Sequence, residues 1–110
     1  MLLSVTLSVF SPQSLDELKR AVNDCCGNII SSEGKRGPIA GWDVSQVTDM
    51  TEMFLDMNTF NSDLSNWEVS RVTDMRGMFA DAHSFNQDLS DWDVSRVTNM
   101  LAMFREAFAF

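Results

Sequence analysis

Three segments decide how this chain is read: WDVSQVTDMTEMF at 42–54, WEVSRVTDMRGMF at 67–79 and WDVSRVTNMLAMF at 92–104. Their tryptophans, Trp42, Trp67 and Trp92, are spaced by 25 residues. Aligning residues 42–60, 67–85 and 92–110 gives nineteen columns. Nine are identical in all three copies: Trp, Val, Ser, Val, Thr, Met, Met, Phe and the closing Phe. Between the copies lies Phe-Asn-x-Asp-Leu-Ser, at 60–65 and 85–90. Chance does not produce such recurrence, and a period of this length belongs to repeat architectures.

Leu64, Trp67, Val69 and Val72 match the L-x-x-L-x-L spacing of leucine-rich repeats, as do Leu89, Trp92, Val94 and Val97. Ile39, Trp42, Val44 and Val47 open the first copy. The spacing predicts an α/β solenoid, a leucine-rich-repeat-like right-handed coil. A short parallel sheet is expected near each Trp–Val pair, with copies about 4.7–4.9 Å apart. Column residues then become core ladders: Trp42/Trp67/Trp92, Met50/Met75/Met100, Met53/Met78/Met103 and Phe54/Phe79/Phe104. Thioethers fill gaps between rings. Strict recurrence favours core over a ligand pocket for these columns.

Working back from the repeats, Ser14 and Glu17 form a capping box, with Asp16 and Glu17 at the positive end of the helix dipole. Leu15, Leu18, Val22 and Cys25 make one apolar stripe. Gly27 is a suitable stop. A helix is therefore expected from Leu15 to Cys26. Residues 30–38 read as a turn-rich connection. Leu3, Val5, Leu7 and Val9 alternate with polar residues, which predicts a strand within residues 1–10. That stretch lacks a basic n-region and an A-x-A site, so it is not a clear signal peptide. The expected division is 1–38, a strand and helix cap with its connection, and 39–110, about three repeats.

The whole chain has 110 residues and a formal net charge of −8. Residues 1–41 balance to zero, so the full excess lies in the repeats. An acidic balance argues against nucleic-acid partners. No apolar run approaches the length of a membrane span. Cys25 and Cys26 are adjacent, where a mutual bridge is strained. A bridge to another chain is open, and two thiols near a helix end, at least one buried, is the plainer expectation. They build neither a zinc site nor a thioredoxin-like motif.

The repeat block resembles the BspA-like leucine-rich repeat family of surface proteins. Its W-D-V-S-x-V-T-x-M-x-x-M-F and F-N-x-D-L-S motifs carry the likeness, over residues 39–110. The segment from Phe10 to Val22 is similar to the one preceding such repeats in algal and other microbial-eukaryote members. The resemblance implies a right-handed solenoid with a parallel sheet. It also implies a cell-surface or extracellular setting, and adhesion or protein binding rather than catalysis. The family occurs in bacterial surface lipoproteins and in proteins of algae and protists.

No acid/base pair, nucleophile constellation, phosphate loop or metal set is legible, and no enzyme activity or cofactor is expected. Ser45/Ser70/Ser95 and Thr48/Thr73/Thr98 read as turn and ladder residues. His83 reads as a solvated loop histidine. Two surfaces are candidates for protein partners. The first is the outward acidic column Asp43, Glu68 and Asp93, joined by Asp63, Asp88 and Asp91. It reads as a solvated face or as recognition of a basic partner. Calcium is the weaker alternative, because no EF-hand or glycine-aspartate repeat is present. The second is the third copy, where polar columns turn apolar together. Thr51 and Arg76 become Leu101, Glu52 and Gly77 become Ala102, Asn58 and His83 become Phe108, and Thr59 and Ser84 become Ala109. No capping helix follows, so the surface around Leu101, Phe104, Phe108 and Phe110 is expected to cap the end or meet another chain. The function class is a protein-interaction module, or alternatively a small subunit docked permanently in a larger assembly.

Overall fold

Helix formation starts where the sequence supplies a cap. In the computed structural model, which describes residues 9–26 and 36–110, helix α1 runs Leu15–Cys26. The Glu17 N–H donates to Ser14 Oγ at 3.2 Å. The reciprocal bond is shifted by one residue: Glu17 Oε1 accepts from the Gln13 N–H at 2.9 Å. Leu18, Ala21 and Val22 are fully buried, and Leu15 and Cys25 pack at the edge of the same core. Cys25 is disulfide-bonded, so the expectation of a free thiol there is corrected. The expected N-terminal strand lies mostly outside the described residues. Val9 and Phe10 are irregular, and Val9 is exposed.

Phe10 ties α1 to the repeats. Its carbonyl accepts the Asp43 N–H at 2.9 Å, and its ring meets Trp42 edge-on at 5.1 Å. The Arg36 guanidinium lies over the same Phe10 ring, 5.4 Å from its centroid. A short 3-10 turn, Ile39–Gly41, then leads into the first copy. No helix among the described residues is long and apolar enough to cross a membrane.

Successive copies lie in register. The Met50, Glu52, Phe54 and Asp56 N–H groups donate to the carbonyls of Asp74, Arg76, Met78 and Ala80 at 2.8–3.0 Å. Met75, Gly77, Phe79 and Asp81 donate likewise to Asn99, Leu101, Met103 and Arg105. Tryptophan continues the pattern: Trp67 Nε1 donates to the Ile39 carbonyl and Trp92 Nε1 to that of Leu64, both at 2.9 Å. These two indoles thus satisfy a carbonyl of the preceding copy, whereas Trp42 Nε1 donates to the Arg36 and Gly37 carbonyls at 3.1 and 3.0 Å. No buried side-chain nitrogen or oxygen among the described residues is left without a partner.

The expected α/β solenoid, with its leucine-rich coil and parallel sheet, does not form. Among the described residues there is no strand, and pairing is reduced to isolated parallel bridges, Asp49–Asp74 and Asp74–Asn99. The reason is how the backbone donors are divided. Between the N–H groups that cross to the next copy, the intervening ones turn back within their own copy. Met53 donates to Met50, Leu55 to Glu52 and Met57 to Phe54. Positive φ recurs at Glu52, Gly77 and Ala102 (54°, 58° and 56°) and again at Asp56, Asp81 and Glu106. A backbone that enters the left-handed region every few residues cannot extend into a strand. Among the described residues the Trp–Val segments pair with no neighbouring copy either: Trp42 is locally extended (φ −68°, ψ 141°), but turns close on both sides of the segment, Trp67 donating to Leu64 and Val72 to Val69.

Side chains from all copies fill one core. Trp42, Trp67, Trp92, Met50, Met75, Met53, Met78, Met103, Phe54 and Phe79 are buried. The phenyl rings stack between copies, Phe54 on Phe79 at 5.3 Å and Phe79 on Phe104 at 5.5 Å. A second file runs Phe60–Phe85–Phe110 at 5.9 and 5.7 Å. Met100 and Phe104 depart from their column-mates, at 44% and 38% exposed.

Candidate interaction surface

The acidic column is built by a local turn. In Asp43-Val-Ser45 the carboxylate accepts the Ser45 N–H at 3.0 Å, and Asp93 accepts that of Ser95 at the same distance. Asp63 and Asp88 do likewise with Ser65 and Ser90, at 2.9 Å. A short acidic side chain folding onto the N–H two residues ahead is an Asx-turn. Hydrogen bonds from the Ser45 and Ser95 side chains, then their backbone N–H groups, hold the Asp43 and Asp93 carboxyls below the usual aspartate range. For Asp63 the Ser65 backbone N–H is the larger cause.

Glu68 is different. It is exposed and makes no hydrogen bond or ion pair among the described residues. The column is therefore not three equivalent carboxylates. Two shape the backbone and one is free. The signal was present in the sequence as Asp-x-Ser at 43–45, 63–65, 88–90 and 93–95, a spacing that announces turns before it announces binding.

A second Asx file lies at the bridges. Asp49, Asp74 and Asn99 accept the N–H groups of Thr51, Arg76 and Leu101 at 2.9–3.0 Å. The hydroxyls of Thr73 and Thr98 donate to the carbonyls of Thr48 and Thr73, each at 3.2 Å. Among the described residues no group of three or more His, Cys, Asp or Glu side chains is arranged to hold a metal ion.

The apolar candidates sit elsewhere. Phe104 and Phe110 stack on each other at 4.5 Å and continue the two ring files. Leu101 and Phe108 are 72% and 74% exposed. Their counterparts in the second copy, Arg76 and His83, are exposed too, although the third copy lies against the second. These columns thus face outward by position in the repeat. The His83 ring stacks on Phe108 at 5.2 Å.

One residue of each candidate set, Asp93 and Leu101, lines a groove, and the two grooves differ. Asp93 shares a polar groove with Arg71, Arg96 and the Thr48 and Thr73 column. Leu101 shares another with Glu52, Gly77 and Arg76.

A family model described as "Mycoplasma protein of unknown function, DUF285" matches residues 18–110, from within α1 through all three copies. No curated protein and no solved structure matches the chain.

Proposed function

The chain belongs to the DUF285 family, and on that premise we propose that it is a non-catalytic protein-interaction module related to BspA-like surface and adhesion proteins. The observation that carries this reading is the division between columns. Most of the recurring Trp, Met and Phe residues occupy the core, Met100, Phe104 and Phe110 of the third copy excepted, while columns that differ between copies, such as Thr51/Arg76/Leu101 and Asn58/His83/Phe108, lie at or near the surface. Surface identity can then vary from copy to copy without repacking the interior. The whole −8 charge falls beyond residue 41, which favours a basic partner.

Affinity capture with mass spectrometry identifies the partner, and binding kinetics then test the acidic column. Changing Asp43 and Asp93 to Asn and Glu68 to Gln lowers the association rate, and salt weakens the wild-type complex. Equal binding by the triple variant at low salt removes this column from the interface.

A second reading, a small subunit held permanently in a larger assembly, is favoured by exposed Leu101 and Phe108. Native size separates the two. A stable monomer supports the module, and an inseparable complex supports the subunit. In the latter case Leu101→Ser with Phe108→Ser releases a folded monomer.

A further inference from the structure

One copy meets the next through a face whose backbone chemistry recurs. On it the N–H groups of Met50, Glu52, Phe54 and Asp56, and again of Met75, Gly77, Phe79 and Asp81, donate to carbonyls of the following copy. The corresponding N–H groups of the third copy, at Met100, Ala102, Phe104 and Glu106, meet no acceptor among the described residues. The Thr48 and Thr73 carbonyls each accept a backbone N–H and a hydroxyl from the next threonine, while the Thr98 carbonyl accepts neither among the described residues. The rings that end the two files are bared here. Phe104 is 38% and Phe110 50% exposed, whereas Phe79 and Phe85, one copy earlier, are fully buried.

Four donors in a row beside two open ring faces restrict what can cover this end. A second molecule meeting it third copy on third copy would set donors against donors. Setting it on the first copy of a second molecule is blocked as well, because Phe54 and Phe60, which would receive Phe104 and Phe110, are already buried. Within the chain this face takes one kind of occupant, the next copy of the repeat. That segment brings carbonyls at alternate positions, two phenyl rings and a threonine N–H. It also brings a tryptophan whose Nε1 reaches back to the residue three before the preceding tryptophan, as Trp67 does to Ile39 and Trp92 to Leu64. Leu89 holds that position before Trp92.

We propose that the end face of the third copy binds a segment of another polypeptide carrying this same repeat, seated as the third copy sits on the second. The proposal rests on the protein-interaction reading above and moves recognition from the acidic column to the end of the stack. The N–H groups of Met100, Ala102, Phe104 and Glu106 donate to the segment's carbonyls. Phe104 and Phe110 stack on its two phenylalanines, and its tryptophan donates to the Leu89 carbonyl. Apolar contact and backbone hydrogen bonds, rather than charge, supply the affinity.

The test uses the full chain and a synthetic peptide of residues 64–88, one whole 25-residue period, with fluorescein at its C-terminus; the control peptide holds the same residues in scrambled order. The peptide carries Arg71 and Arg76 against Glu68, Asp74, Asp81 and Asp88, so the acidic column does not attract it. Fluorescence anisotropy should show one-to-one binding that added salt does not weaken, and no binding of the scrambled peptide. Phe104→Ala and Phe110→Ala in the chain should each weaken binding about tenfold. Trp67→Phe in the peptide, which removes the indole donor, should weaken it about fivefold. Circular dichroism checks that each chain variant stays folded, and sedimentation checks that the chain alone is monomeric. Glu68→Gln in the chain should leave binding unchanged. No binding of the peptide, equal binding of both peptides, indifference to both ring substitutions, or self-association of the chain through this end overturns the proposal. Loss confined to Glu68→Gln also overturns it, while leaving the protein-interaction reading in place.

Discussion

Phe79 is the sharpest probe of how the copies hold together. It is fully buried, with Phe54 at 5.3 Å on one side, Phe104 at 5.5 Å on the other, Phe85 at 4.2 Å and Trp92 at 6.3 Å. Phe79→Ala removes the middle ring of the file and leaves a cavity that its neighbours cannot close. The expected loss is about 3–5 kcal/mol, transfer energy plus the cavity. Phe104 gives the internal comparison. Its ring is 38% exposed, so roughly three fifths of a full phenylalanine burial of about 1.5–3 kcal/mol is at stake. Phe104→Ala should therefore cost about 1–2 kcal/mol, with little cavity left behind. Urea unfolding followed by tryptophan fluorescence measures both, since Trp92 lies beside Phe79. Equal losses at the two positions, or a Phe79→Ala loss under about 1 kcal/mol, would refute the stacked file as the source of cohesion.

Three further outcomes follow from named contacts. Trp67→Phe removes the donor that reaches the Ile39 carbonyl and should destabilise by about 1–3 kcal/mol in the same urea assay, because a buried acceptor loses its partner; a smaller loss would mean that water replaces the indole. Asp74→Asn should leave the melting temperature nearly unchanged, since Asn99 already makes the same turn one copy later, whereas Asp74→Ala should lower it; equal effects would remove the Asx-turn account. Hydrogen bonds from the residues two ahead hold the carboxyls of Asp43, Asp63, Asp74, Asp88 and Asp93 below the ordinary aspartate range, so their stabilisation is present above the unfolded aspartate value and is lost as pH falls through the lower folded ones. Replacing Asp63 and Asp88 with Ala should flatten this acid limb of thermal stability, and an unaltered limb would refute it.

Helix α1 was legible in the chain because its determinants are local. Ser14 and Glu17 supply the cap, and Leu18 and Val22 follow at the spacing that places them on one buried stripe. The Trp, Met and Phe columns were visible as a period, and most of their side chains are buried. For Asp43 and Asp93 the turn signal was equally visible, but the same residues also spell an acidic face. Only the 3.0 Å bonds to Ser45 and Ser95 separate them from the unbonded Glu68.

By itself, then, the sequence determined which residues correspond between copies, where the helix lies and how the charge is apportioned. All of these follow from side-chain identity and spacing. Tertiary structure decided what the backbone does between matching positions. The Leu-x-x-Trp-x-Val spacing suits a strand, yet turns such as Trp67 to Leu64 and Val72 to Val69 bracket it, and the bonds between copies lie further along, beside Glu52 and Ala102, residues with no intrinsic taste for the left-handed region, and Gly77, which has it. All three close a turn within their own copy, with Leu55, Ala80 and Arg105 donating to their carbonyls, and Glu52 and Gly77 also donate to the neighbouring copy, at Arg76 and Leu101. Stacking likewise decided that the columns of Leu101 and Phe108 face outward, because hydrophobicity in a sequence marks what favours burial and only packing determines what is buried.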